Sequence, residues 1–247
     1  MLVGMLAFGA ALAGFAPGAR ASSRETPPRT TVPARRNDPL AERRRTEIRE
    51  RRAAGDIGWL FLGDSITQRW DPEIWRQSFD GLNAANFGVD GDRTQHLLWR
   101  ITRGGELDGL SPHTVVVLIG VNNIATDPPS HIAAGIGKIV DVVHEKLPSA
   151  RILLFAIFPA GFAPGPFRER IRNTNDLVAD IARRPYVQHL NIGERFLDAE
   201  GRIPRALMPD ALHPSPAGYR VWADALGEHM RESRKHEERQ KNGEPIP

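Results

Sequence analysis

The chain has 247 residues, of which 40% are hydrophobic and 26% are charged, and its formal net charge is +3. This length and composition suit one globular domain with a sizeable core and polar extensions. The sequence contains no cysteine, which excludes a thiol nucleophile, a cysteine-ligated zinc and a disulfide framework.

Positive charge is concentrated near the N-terminus. Residues 22–55 hold ten arginines against five acidic residues, so residues 56–247 carry a slight net negative charge. A nucleic-acid-binding surface needs basic residues on the folded domain itself. The distribution of charge therefore argues against a nucleic acid as a partner.

The first 21 residues predict a secretory signal peptide. Residues 2–16 are apolar and uncharged but short for a membrane span. The tripeptide "ARA" at 19–21 has the small-x-small form of a signal-peptidase site. Because a positively charged start is missing, a short membrane anchor is the alternative, and membrane contact would then be confined to this segment. We expect export to the periplasm or the medium, or a cytoplasmic protein if residues 1–21 are not a signal.

Two polar extensions flank the expected domain at 56–230. Within residues 22–55, the Pro-, Ser-, Thr- and Arg-rich stretch 22–38 predicts a linker. Residues 39–53, "PLAERRRTEIRERRA", predict a charged helix whose arginines face solvent beside glutamate partners. The stretch 231–247 predicts a frayed polar tail.

Between the extensions, apolar runs alternate with helical patterns. The runs lack the polar alternation of a half-exposed strand, which is typical of a parallel sheet covered on both faces. The sequence therefore predicts a three-layer α/β/α domain with a central, mostly parallel five-stranded sheet. Strands are predicted at 57–62, 84–87, 114–119, 151–157 and 187–190, and helices at 94–102, 131–146, 167–183 and 216–230.

Polar residues follow three of the predicted strands. The step Gly63-Asp64-Ser65 comes directly after the first strand, where alone it would more often be a turn and a helix cap than a catalytic sequence. Gly88 follows the second strand and Asn122 the third. Ligands of open α/β sheets bind outside the carboxyl ends of the strands. Ser65, Gly88 and Asn122 are therefore expected on one rim of the sheet.

A nucleophilic serine needs an adjacent base, almost always histidine, and a group that orients the base. Two of the eight histidines follow an aspartate by three positions. Asp141 and His144 fall in a helical pattern, which favours a surface pair. Asp210 and His213 lie in a Pro-rich loop before the last helix, where the carboxylate can orient the imidazole towards Ser65. Metal binding by this pair lacks further evident ligands, so no metal is predicted.

An acyl-transfer site also needs hydrogen-bond donors for the oxyanion. A glycine N–H suits this role because substrate can approach the backbone closely. Gly88 offers such an N–H, Asn122 offers a side-chain amide, and the Ser65 N–H can be the third donor.

In chain order, Ser65, Gly88, Asn122 and His213 resemble the signature of the SGNH (GDSL-type) hydrolases, with "GDSI" in place of the common Gly-Asp-Ser-Leu. The blocks "FLGDSIT", "NFGVDGDRTQHLLWRI", "VVVLIGVNN" and "DALHPSPAGY" are similar to those of the catalytic subunits of intracellular platelet-activating-factor acetylhydrolase. The resemblance covers about residues 56–228.

The resemblance implies a flavodoxin-like esterase that removes short acyl groups, often acetyl, without a cofactor. It implies Ser65 as nucleophile, His213 as base and Asp210 as its orienting group. The Ser65 N–H, the Gly88 N–H and the Asn122 side chain would form the oxyanion hole.

The apparent signal peptide departs from the intracellular subfamily, so its lipid substrate and regulatory partner are not carried over. We expect a small ester or an acetylated carbohydrate as substrate, and a homodimer is left open. The alternative is a lysophospholipase or longer-chain lipase that uses the same site. A catalytically silent carbohydrate-binding or envelope protein is disfavoured because the site is complete.

Other side chains have supporting roles in this interpretation. Asp64 is expected to hold the turn at Ser65 through backbone hydrogen bonds, and Arg93 and Thr94 to brace the loop after the second strand. Phe162 and Phe167 would flank the acyl pocket.

Overall fold

A computed structural model describes residues 26–242 and contains a five-stranded sheet in which every pairing is parallel. The strand order is β2-β1-β3-β4-β5, which is the flavodoxin-like order. The predicted fold class is confirmed, and each predicted strand lies within two residues of the observed one. The strands are β1 (Trp59–Gly63), β2 (Ala84–Gly88), β3 (Thr114–Leu118), β4 (Arg151–Phe155) and β5 (Val187–Leu190).

Helices pack on both faces of the sheet. The central strands β1 and β3 are buried along their whole length, which explains why their sequences lack polar alternation. Helices α4, α5 and α6 contact one another in succession, and α3 contacts α7. The α-helices are α1 (Pro39–Ala53), α2 (Ser65–Gln68), α3 (Pro72–Phe79), α4 (Thr94–Thr102), α5 (Pro129–Lys146), α6 (Pro166–Ala179) and α7 (Pro216–Asn242).

Four short 3₁₀ turns complete the described secondary structure: Arg29–Thr31, Val121–Asn123, Asp180–Arg183 and Gly193–Phe196. An aromatic cluster ties α7 to the sheet, because the Trp70 ring lies 4.8 Å from the rings of both Tyr219 and Trp222. Trp70 is therefore a core residue. Through it, α7 packs against the segment that follows β1 and α2.

The segment before β1 packs on the domain, so the prediction of a linker followed by a solvated helix is wrong for its described part. Helix α1 spans the predicted residues, but its Ala41, Arg45 and Ile48 are buried on one face. The Arg45 guanidinium lies 5.1 Å from the centre of the Trp99 ring. A charged sequence hides this packing because an arginine stem and guanidinium can cover an aromatic face.

The C-terminal prediction is corrected in part. Helix α7 continues to Asn242, whereas the sequence predicted a frayed tail from 231. The added residues are mostly Glu, Arg, Lys and Gln, which have high helix propensity. The predicted signal peptide at 1–21 lies outside the described residues. Within residues 26–242, no helix combines the length and the apolar character that a membrane crossing requires.

Candidate active site

Three strand ends meet at one level of the sheet. Gly63 of β1 is in register with Gly88 of β2 and with Leu118 of β3. The chain after β1 turns at once into α2, whose first residue is Ser65. Asp64 caps this helix by accepting the Ile66 N–H at 3.0 Å, as the sequence predicted. Ser65 is therefore held at the carboxyl edge of the sheet, with only 4% of its surface exposed.

Ser65, His213 and Asp210 form a continuous hydrogen-bonded row. The His213 Nε2 lies 2.9 Å from the Ser65 Oγ, and its Nδ1 lies 2.6 Å from the Asp210 Oδ2. With the Nδ1 proton donated to the carboxylate, Nε2 is left to accept the serine proton. The structure thus brings together the three residues that the sequence selected, across 148 positions of the chain.

A strained turn shapes the Asp-x-x-His segment. The second carboxylate oxygen of Asp210 accepts the N–H groups of Leu212 at 3.0 Å and of His213 at 2.8 Å. Ala211, which follows Asp210, has φ +61°, in the left-handed region that residues other than glycine avoid. The Ala211 carbonyl accepts the Gly161 N–H at 2.8 Å, which anchors this conformation.

The Asp210 carboxylate is ionised, and 56% of its side chain is exposed. Partial burial opposes ionisation, but the hydrogen bonds from the His213 ring and from two backbone N–H groups lower the pKa of Asp210 to about 2. A charged carboxylate can orient the imidazole and stabilise it once it is protonated.

Asn122 lies in the 3₁₀ turn after β3 with its amide oriented. Its Nδ2 donates one hydrogen to the Asp92 carbonyl at 2.9 Å. The second amide hydrogen is not used in any hydrogen bond within residues 26–242. Neighbouring Asn123 is fully buried, accepts the Thr94 N–H at 3.0 Å and donates to Asp127 at 3.1 Å. The turn is therefore fixed, and Asn123 is a structural residue that sequence reasoning did not identify.

Gly88 does not have the free donor that the sequence predicted. Its N–H donates to the Asn86 Oδ1 at 2.9 Å. A Cβ at Gly88 would collide with the backbone of Gln68, so glycine is needed here for the close approach of α2 to β2. This geometry argues against the Gly88 N–H as an oxyanion donor.

Gly91 offers the donor that Gly88 lacks. It is exposed, its φ is +72°, and its N–H has no acceptor among residues 26–242. It precedes Asp92, whose carbonyl holds the Asn122 amide. The sequence signal for Gly91 is the glycine in the turn "VDGD", whose positive φ favours that residue.

A buried ionic cluster lies beneath this loop. Arg100 is 1% exposed, donates to Asp92 at 2.7 Å and to the Gly63 carbonyl at 3.3 Å, and also pairs with Glu106. The cluster joins the loop that contains Asp92 to the end of β1. A lone arginine in a helical pattern gave no signal of this role.

The second Asp-x-x-His pair, which the sequence predicted to be a surface pair, lies on helix α5 with each side chain bound to a different partner. Asp141 accepts from Arg184 at 2.8 Å, and the His144 ring stacks on Tyr186 with 3.6 Å between the ring centres. Within the described chain, no cluster of three or more His, Asp or Glu residues could hold a metal ion.

A cleft of about 590 Å³ lies beyond β4 and β5, on the same edge of the sheet. Its wall includes Ile157, Arg168, Asn175 and Asn191, and none of the predicted site residues. Phe162 and Phe167 are 37% and 38% exposed. Arg205 covers the Phe162 ring with its guanidinium carbon 4.0 Å from the ring centre.

Comparison with known proteins places the chain among acylhydrolases. The model of the GDSL-like lipase/acylhydrolase family matches residues 61–221. Platelet-activating factor acetylhydrolase IB subunit alpha1 of Homo sapiens is 40% identical over 169 residues, which are 68% of this chain and 72% of the relative. Subunit alpha2 of Rattus norvegicus is 37% identical over 162 residues, which are 65% of this chain and 70% of the relative.

Solved structures show the same fold. A GDSL-like lipase from Bacteroides thetaiotaomicron superposes with a TM-score of 0.66 at 17% identity, over 76% of this chain and 98% of that one. A catalytic mutant of an acetylxylan esterase from Geobacillus stearothermophilus superposes with a TM-score of 0.54 at 20% identity, over 70% and 93% of the two chains. The chain belongs to the GDSL-like lipase/acylhydrolase family of hydrolases.

Proposed function

We propose that this protein is a serine esterase that removes short acyl groups, acetyl above all, from small esters or acetylated carbohydrates. The observation that carries the proposal is the hydrogen-bonded row of Ser65, His213 and Asp210 at the edge of the sheet. A hydrolase that uses the Ser-His-Asp mechanism holds its nucleophile, base and orienting carboxylate in this hydrogen-bonded row.

In the proposed mechanism, His213 Nε2 takes the Ser65 proton as Oγ attacks the ester carbonyl. The carbonyl oxygen becomes an oxyanion and accepts hydrogen bonds from the Ser65 N–H, the free Asn122 amide hydrogen and the Gly91 N–H. The tetrahedral intermediate collapses to an acyl-enzyme as His213 returns the proton to the departing alkoxide. Water then repeats the sequence with His213 as base, which releases the acid and restores Ser65.

The loops around Ser65 favour a short acyl group. The connection from β2 to α4 spans only residues 89–93, and the one from β3 to α5 spans 119–128. A long acyl chain needs an apolar cleft to bury its methylenes, each of which contributes about 0.8 kcal/mol. Relatives named as acetylhydrolases agree with this choice.

The leaving group is proposed from the fold neighbours and from the expected export. One neighbour is named as an acetylxylan esterase. The cleft beyond β4 and β5 offers exposed polar side chains, Asp176, Asn191 and Glu194 among them, on the same edge of the sheet. These features suit an acetylated sugar better than a lipid.

The test is a series of p-nitrophenyl esters from acetyl to dodecanoyl, each below its micellar limit, with Ser65→Ala alongside. We expect kcat/KM to be highest for acetyl or propionyl and to fall at least roughly tenfold by octanoyl. Ser65→Ala should lower kcat by about 10⁴- to 10⁶-fold in a folded protein and abolish fluorophosphonate labelling. A panel of acetylated sugars then identifies the acceptor.

Two outcomes would change the proposal. A maximum at octanoyl or beyond would replace it with the longer-chain lipase while leaving the Ser65 chemistry intact. A folded Ser65→Ala variant that kept more than about a tenth of the wild-type rate would refute the mechanism itself.

A further inference from the structure

We propose that the segment of residues 26–53, here called the N-terminal strap, positions the oxyanion donors of the site. Three of its arginines, Arg29, Arg36 and Arg44, hold the loops that contain Gly91 and Asn122. The inference rests on the proposed function, since it concerns the same site. The strap precedes residues 61–221, which the family model matches.

Arg44 holds the end of β2, which is an edge strand. Its Nη2 donates to the Asn86 carbonyl at 2.6 Å and its Nε donates to the Gly88 carbonyl at 3.0 Å. These carbonyls are two positions apart, so they point to the same side of the strand. Arg44 thus takes the place of a neighbouring strand. It fixes the residues from which the loop of Gly91 departs.

Arg36 holds the loop itself. Its Nη1 donates to the Asp90 carbonyl and lies 3.3 Å from the Asp92 carboxylate. The same nitrogen is 3.1 Å from the point where a Cβ on Gly91 would stand. The other carboxylate oxygen of Asp92 is held by buried Arg100 at 2.7 Å. The turn around Gly91 is therefore held between the strap and the core.

Arg29 acts on the second loop. It donates to both carboxylate oxygens of Asp127, at 2.6 and 3.1 Å. Asp127 is buried, and it accepts from the side chain of Asn123 at 3.1 Å. Asn123 is the neighbour of Asn122 and anchors its turn. Arg29 thereby compensates the buried negative charge that organises this turn.

Fixed donors matter more for the transition state than for the bound ester. An oxyanion hole works because its donors are oriented before the charge develops. A displacement of about 1 Å, even one caused far from the reacting atoms, can lower the rate about 10²-fold. Loosening the strap should therefore lower kcat more than it raises KM, and it should weaken tetrahedral adducts.

The experiment compares Arg44→Ala and Arg36→Ala with Arg43→Ala in the full chain. Arg43 is an exposed arginine on the same helix, which makes it the matched control. We expect the first two variants to lose about 10- to 100-fold in kcat for p-nitrophenyl acetate, with KM within about threefold of wild type. The inhibition constant of phenylboronate, whose adduct with Ser65 places an oxygen on the donors, should rise in parallel.

Arg44→Lys and Arg36→Lys separate positioning from folding. Lysine keeps the charge but lacks the guanidinium fork that reaches several acceptors at once, so partial recovery of kcat is expected. If the alanine variants do not fold, as judged by circular dichroism, the lysine variants test the proposal instead. They should then show a lower kcat than wild type with KM nearly unchanged. Arg43→Ala should match wild type in every measurement.

The inference is overturned if the folded Arg44 and Arg36 variants keep kcat within about twofold of wild type, or if only KM changes while phenylboronate binds as before. Ser65→Ala in the same assay keeps the two proposals distinct. Activity that survives in Ser65→Ala rejects the proposed function. If Ser65→Ala is inactive but the strap variants are fully active, the positioning role of the N-terminal strap is rejected and the proposed function stands.

Discussion

At the scale of single residues, Asn122 combines a fixed amide with a second amide hydrogen that no described residue accepts. Its bond to the Asp92 carbonyl sets the plane of the amide before any substrate arrives. We expect Asn122→Ala to lower kcat by about 10²- to 10³-fold with a smaller change in KM, because the amide acts on charge that develops in the transition state. Steady-state kinetics on p-nitrophenyl acetate measures both constants. An effect on KM alone would make Asn122 a ground-state binding residue.

Asp64, which caps α2 at the site, has a strongly raised pKa. Burial raises its pKa to about 7, the hydrogen bond from the Ile66 N–H opposes the shift, and the charges of Asp92 and Asp90 add to it. Between about pH 4 and 7 the folded protein therefore keeps a proton that the unfolded chain has lost. The stability contributed by the protonated group is complete below about pH 4 and is lost as the pH rises towards 7.

We expect Asp64→Asn to gain stability relative to wild type as the pH rises from 4 to 7.5. The amide cannot ionise, yet its oxygen can still cap α2. Urea unfolding of both proteins at several pH values measures the difference in the free energy of unfolding. If that difference does not change with pH, Asp64 does not titrate as described.

At the scale of elements, the start of α4 depends on a neutral histidine. The Arg93 N–H donates to the His96 Nδ1 at 3.1 Å. Burial, followed by the charges of Arg36, Arg93 and Arg100, lowers the pKa of His96 to about 4. The unfolded chain binds this proton at higher pH, so stability is lost as the pH falls from about 6.5 towards 4.

His96→Gln should lessen this sensitivity to acid, since glutamine at the same position can accept the N–H without becoming charged. We expect the Tm of wild type to fall more than that of the variant between pH 7 and 4.5. His131→Gln, on a different helix, is the control and should follow wild type. Equal losses of Tm in all three proteins would contradict the role of His96.

Sequence patterns predicted the strands well and the hydrogen-bond donors of the oxyanion hole less well. Apolar runs that end in Gly, Asp or Asn mark where strands stop, so Ser65 and Asn122 could be placed on one rim. The direction of an N–H depends on local backbone geometry, which is why Gly88 was selected where Gly91 has the free donor. Helix α3 was missed because its eight residues are fewer than the window over which helical periodicity is judged. The packing of α1 escaped prediction because one of its buried residues is an arginine.

At the scale of the whole molecule, the proposed export and the strap must be compatible. Cleavage after Ala21 would leave the mature chain with all of the strap. We predict a mature N-terminus at Ser22 when protein from the envelope or medium of the native host is examined by mass spectrometry. Full-length protein in the cytosol would refute a cleaved signal, and retention in membranes would indicate an anchor.

The Arg44 contacts also bear on how copies of this chain could assemble. An open sheet has two edges, here β2 and β5, and free carbonyls at an edge can pair with a strand of another molecule. Arg44 already occupies two carbonyls at the carboxyl end of β2. A dimer that joined two sheets into one continuous sheet is therefore expected to form through β5 and not β2, and loss of Arg44 would leave the β2 carbonyls open to pairing with another molecule.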